Sequence, residues 1–161
     1  MGKFNLEKVK STENEIKHNI EEKKIENAKL EESKEQLMEA GFEIQDSNLS
    51  DEVTSRLMEY INEDLSKIKQ EGREKSAELD EDMKKLLDIQ TEVTESREEN
   101  QEQKNKLEKK KDALDKFGLG GVLEKPVEEL NRNEMNLSEV SENLRNTYEE
   151  LMTLSRELSS K

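Results

Sequence analysis

The stretch Ser50–Phe117, SDEVTSRLMEYINEDLSKIKQEGREKSAELDEDMKKLLDIQTEVTESREENQEQKNKLEKKKDALDKF, decides the fold. Within it an apolar residue returns every seven positions: Met58, Leu65, Leu79, Leu86, Val93, Leu107 and Leu114. Gly72 and Asn100 occupy the two gaps in that series. A second series, Ile61, Ile68 and Ile89, sits three residues further on, where the other core position of a heptad belongs. A repeat this long predicts one continuous helix, a rod of about 100 Å at ~1.5 Å per residue. Its apolar stripe cannot cover itself, so other helices must lie along it.

The flanking segments supply them. A first helix is predicted over 5–40, with Val9, Ile16, Leu30 and Leu37 on one seven-residue grid and Leu6 and Ile20 beside it. Glu13, Lys23, Asn27 and Lys34 interrupt this seam, and polar core positions weaken a coiled coil while fixing its register. Gly41 is read as the helix stop. Phe42, Ile44 and Leu49 then plug the end of the hairpin, and Ser50 caps the long helix over 50–117. Phe117 to Pro126 forms the second connection, with three glycines in four residues and Pro126 in the first turn of the next helix. The last helix, 126–158, carries the cleanest repeat: Leu130, Leu137, Leu144, Leu151 and Leu158, with Val127, Val140 and Leu154 in the second core position.

The expected fold is therefore all-α: a single elongated domain over 1–161, a three-helix antiparallel coiled coil. The long central helix has the shorter first and third helices folded back on its two halves. A turn near Gly120 sets Leu144 beside Asn100 and Leu158 beside Leu86. A turn near Asp46 sets Ile20 beside Gly72 and Leu6 beside Leu86. Both chain ends would then meet around Leu79–Leu86. The competing arrangement is three helices side by side, with the central one broken near Gly72 or in the polar run after Glu95, where Ser96, Asn100 and Gln103 hold the seam. Gly72 itself marks either a bend or a close backbone approach.

Composition agrees. Charged residues make up 42% of the 161 and hydrophobic ones 29%, a balance shared by coiled coils and disordered chains. The strict heptad return decides for the coiled coil. A net charge of −14 without a clustered basic face argues against a nucleic-acid partner. The one basic run, Lys109–Lys111, reads as a solvated helix end. There is no cysteine, no apolar stretch near the ~20 residues needed to cross a membrane, and no signal-like apolar segment in Met1–Lys10. These features predict a cytoplasmic chain, with signal-less export left open.

Catalytic, metal and cofactor chemistry finds no carrier. His18 is the sole histidine and has no ligand-spaced companion. The glycine-rich connection lacks the Lys-Ser/Thr ending of a phosphate-binding loop. The acidic group Glu78, Asp80, Glu81 and Asp82 reads as a solvated face. No small-molecule substrate or pocket is expected. The expected function is a non-enzymatic interaction module whose partner is another helical protein or the chain itself. The candidate contact residues are Phe42, Ile44, Phe117, Leu119, Val122 and Leu123. Those of the second connection either cap the bundle or form an exposed apolar tip.

Two segments carry a family resemblance. Ala40-Gly41-Phe42, read as a hairpin break, and the Gly118-Leu119-Gly120-Gly121 connection make the chain resemble the WXG100 and LXG group of Gram-positive type VII secretion proteins, or the small helical partners of LXG toxins. The chain departs from them in having no Trp-x-Gly, in its greater length, and in lacking a Tyr-x-x-x-Asp/Glu tail: Tyr148 is followed by Leu151 and Met152. The resemblance implies helix-on-helix partnering with a toxin or secretion component. The alternative is a self-assembling scaffold or structural coiled coil.

Overall fold

The computed structural model describes residues 4–161; Met1 to Lys3, part of the Met1–Lys10 stretch read above, lie outside it. Three helices account for nearly all of it: α1 (Leu6–Asp46), α2 (Asp51–Asp115) and α3 (Glu124–Ser159), with a 3-10 turn at Gly120–Leu123. The all-α, three-helix reading holds, and α2 is continuous through both Gly72 and the polar run after Glu95. Asn5 caps α1, its Oδ1 accepting from the Lys8 N–H at 3.2 Å. Ser50 caps α2 as expected, its Oγ accepting from the Val53 N–H at 3.3 Å.

Gly41 does not end α1. The helix runs on to Asp46, and the connection shrinks to the few residues around Ser47–Ser50. A glycine stops a helix only where the backbone turns left-handed, and Gly41 keeps an ordinary helical φ. Helix propensity in the flanking residues carries the chain through it.

The chain forms two compact units. One contains the described residues through Glu13 together with Lys84–Tyr148; the other contains Asn14–Met83 and Glu149–Lys161. In the second of these, α1 and α2 run antiparallel: Asn19 Nδ2 donates to Asp82 Oδ2 at 3.3 Å, Lys23 pairs with Glu78, and Lys75 lies 3.1 Å from Glu26. The C-terminal stretch of α3 joins them, parallel to α1, through Asn27–Glu157 at 2.9 Å and the Glu31–Lys161 ion pair. Ile16, Ile20, Leu30, Ile61, Ile68, Leu79, Leu151, Leu154 and Leu158 form its core.

Gly72 sits at the closest approach in that unit. A Cβ built there would fall 2.2 Å from the Leu158 carbonyl oxygen. One turn along, Ser76 Oγ donates to the Ser155 carbonyl at 3.1 Å and lies 2.6 Å from Ser155 Oγ. Small residues on both helices bring the backbones together. Of the two sequence readings of Gly72, the close approach is the one realised.

In the other unit α2 and α3 run antiparallel through Gln90–Ser141 at 2.7 Å, Arg97–Glu134 at 2.8 Å, and Asn100 Nδ2 donating to the Leu130 carbonyl at 2.8 Å. The first turns of α1 lie here too, with Val9 buried beside the Leu86, Val93, Leu137, Val140 and Leu144 core.

Both expected registers are displaced. Asn100 meets Leu130 rather than Leu144, a slide of two whole heptads. Leu158 lies on Gly72, and Leu6 shares a cavity with Asn100 and Gln103; neither lies beside Leu86. Asn19, next to Ile20, reaches Asp82, so Ile20 is not at Gly72. Neither outer helix stops at Leu79–Leu86, the stretch expected to hold both chain ends, and each unit holds segments of all three helices. For α3 the physical reason is that a seven-residue repeat is satisfied equally well by any whole-heptad shift, so it fixes the buried face and leaves the register open. For α1 the turn itself moves, because the helix runs on to Asp46 and the chain reverses later.

Candidate interaction surface

The α2–α3 connection holds four of the six candidate contact residues, and the other two, Phe42 and Ile44, lie in the last turns of α1 beside the α1–α2 connection. At the end of α2 the chain closes in a Schellman motif: Gly118 N–H donates to the Asp115 carbonyl at 3.1 Å, and Leu119 N–H to the Leu114 carbonyl at 2.9 Å. Gly118 has φ +73°, the left-handed value this motif needs and one that glycine takes without penalty. Hydrogen bonding thus fixes the loop backbone, and its side chains are held outward. Phe117 is 79% exposed, Val122 67% and Leu119 50%, while Leu123 is half-buried. Phe117, Leu119 and Val122 do not cap a bundle; they form an exposed apolar tip. Seven lysines against four carboxylates over 104–125 make this the basic end of an acidic chain.

The α1–α2 connection differs in charge. Phe42 is 62% exposed and Leu49 43%, with Ile44 half-buried in the last turns of α1. Phe42 and Leu49 therefore do not plug the hairpin. Over 39–52 there are five carboxylates and no lysine or arginine. Ala40-Gly41-Phe42 lies inside α1, so the chain does not break there and reverses a few residues later, after Asp46.

A cavity of about 320 Å³ opens in the unit containing Asn100. Ser96, Asn100 and Gln103 of α2 line it together with Asn133 and Asn136 of α3, and Phe4 and Leu6 close one side. From the sequence no pocket is expected, and only the three α2 residues stand out as a polar seam. The dense asparagines of Asn131–Asn136 carried the missing signal: once the register slides by two heptads, they face the polar run of α2. The lining amides and hydroxyls offer hydrogen bonds, with Glu99 the one ionisable side chain among them.

The acidic group of α2 divides. Asp82 is buried against Asn19, Glu78 pairs with Lys23, and Asp80 stays exposed. Among the described residues no group of three or more His, Cys, Asp or Glu side chains is placed to hold a metal ion. His18 lies exposed, 3.2 Å from Glu22 one turn along. Nor is any described helix long and apolar enough to cross a membrane.

Two of the polar residues that break the α1 seam, Lys23 and Asn27, find charged partners on the neighbouring helices. Burial disfavours the Lys23 ammonium, but Glu78 and Glu26 outweigh it and raise the lysine pKa above its ordinary value. Burial likewise disfavours the Glu26 carboxylate, and Lys75 and Lys23 outweigh it, so its pKa falls below the usual range. Lys161 lowers Glu31 in the same way. This alternating cluster ties α1 to α2 at one register and α1 to α3 at another.

No family model matches the chain, and no match is found among curated proteins or solved structures.

Proposed function

We propose that this protein is a non-enzymatic helical protein–protein interaction module, an adaptor, targeting or secretion partner of another helical, toxin-like protein. The observation that carries this reading is the exposure of large apolar side chains, Phe117, Leu119 and Val122 at one tip and Phe42 and Leu49 at the other, on a scaffold whose core is only a thin helical seam. Exposed apolar tips rimmed by charge are the usual mark of a contact surface. The secretion side of the proposal rests on the family resemblance and includes a cytoplasmic site of synthesis with export that needs no cleavable signal.

The test is photocrosslinking in the source cell, with a benzophenone amino acid in place of Phe117 and, separately, of Phe42. One dominant protein adduct at either position, reconstituted from purified components as a stoichiometric complex, is the expected result. Absence of any discrete adduct at both positions contradicts the proposal.

A further inference from the structure

The two exposed tips are complementary to each other. The α2–α3 connection presents Phe117, Leu119 and Val122 amid an excess of lysine over 104–125, and the other tip presents Phe42 from the last turns of α1 and Leu49 from the α1–α2 connection amid carboxylates alone over 39–52. We infer that the occupant of the basic tip is the acidic tip of a second copy of this chain.

Three observations carry this. Each tip exposes apolar area, so contact removes it from water on both sides. The charges flanking the two tips have opposite sign, which favours the heterologous pairing and disfavours basic-on-basic or acidic-on-acidic contact. The basic tip is preformed by the Schellman bonds and Gly118, so little backbone order is lost on docking. Phe117 and Val122 also protrude rather than line a groove, which suits a small convex contact between two tips. A heterologous contact of this kind leaves one free tip of each sort on every pair, so association continues beyond two copies. The inference rests on the proposed interaction role of these same residues and adds contact between copies of the chain to the partnering with another protein proposed above.

The experiment is sedimentation velocity on the full chain from ~10 µM to ~1 mM at ~20 mM salt, repeated at ~0.5 M salt, where screening shortens the reach of surface charge to a few ångströms. The wild type is expected to rise at least about twofold above its 18.8 kDa monomer mass at low salt and to fall back at high salt. Phe117→Ser with Val122→Ser, and separately Phe42→Ser with Leu49→Ser, should each stay monomeric with unchanged helical circular dichroism. An equimolar mixture of the two variants should form a dimer and stop there, because only one compatible pair of tips remains. Lys116→Glu with Lys125→Glu, which leaves five lysines against six carboxylates over 104–125, should also block association.

A wild type monomeric throughout, a mass increase surviving in both apolar variants, or a mixture that stays monomeric would each overturn self-docking. A monomeric wild type that instead sediments with vesicles containing ~30% phosphatidylserine would overturn it in favour of a lipid surface. A monomer that still gives a foreign adduct at Phe117 removes self-docking alone and leaves the proposed function standing.

Discussion

Gly72 and Asn100 interrupt the same leucine series of α2, and the structure resolves the two gaps in opposite ways. At Gly72 the backbone of α3 moves in so far that no Cβ fits beneath Leu158. At Asn100 the helices stay apart, a side-chain amide spans to the Leu130 carbonyl, and a cavity of about 320 Å³ remains. A missing leucine can thus be replaced by a neighbour's backbone or by polar side chains and empty space. What separates the two outcomes is the facing residue: Ser155, one turn from Leu158, lets the helices close at Gly72, while Asn133 and Asn136 hold the other gap open.

The largest effect is expected at Gly72. Gly72→Ala should cost about 3 kcal/mol, because its new methyl collides with main chain that cannot swing aside. Urea denaturation measures the loss, and limited proteolysis should show the 149–161 segment cut first. A variant as stable as wild type would mean that the close approach does not exist in solution.

Asn100→Leu should act in the other direction. Completing the apolar series is expected to raise stability by about 1–2 kcal/mol while loosening the α2–α3 register, since a lone buried asparagine commonly trades stability for register. Thermal melts read the first effect and spin-label distances the second. A destabilised variant with a single sharp distance would show that the amide bond is structurally essential.

Gly41 sharpens the comparison as a glycine with room around it. A Cβ there would meet Met58 Cε at 3.6 Å, ordinary van der Waals contact. Gly41→Ala should therefore gain about 1 kcal/mol from helix propensity, the reverse of the Gly72 result, in the same urea titration.

The smallest effect is electrostatic. The Glu26 pKa is lowered on folding, so its contribution is present above 4.5 and lost as pH falls through the lower folded value. The Lys23 pKa is raised, so its contribution is present below 10.5 and lost as pH rises through the higher folded value. These ion pairs are partly solvated, so Glu26→Gln should flatten the acid limb of the stability curve by less than about 1 kcal/mol. An unchanged acid limb would detach Glu26 from the cluster.

The three helices, the Ser50 cap and the buried faces of Leu79, Leu86, Val93, Leu137, Leu144 and Leu151 were all legible in the sequence, because heptad return and capping are local signals. Register was not legible, since Leu130 and Leu144 occupy equivalent places in an unbroken repeat. The end of α1 was misread because glycine composition carries no information about φ at Gly41. The six candidate contact residues could be named from their position at or near the connections, but whether Phe117 turns inward or outward depends on the Schellman closure at Gly118, which three closely spaced glycines do not specify. The amide-lined cavity was half visible: the α2 side stood out as a polar seam, and its α3 side became identifiable only once the register was known.

The register is tested most directly by a disulfide. The chain has no cysteine, so Ser76→Cys with Ser155→Cys introduces one pair at positions whose hydroxyl oxygens lie 2.6 Å apart. Near-complete intramolecular oxidation of this pair is expected, with no crosslink when Ser155→Cys is combined with Ile89→Cys. Oxidation of that second double variant in place of the first would restore the register read from a turn at Gly120 and contradict the seating of α3 on Gly72.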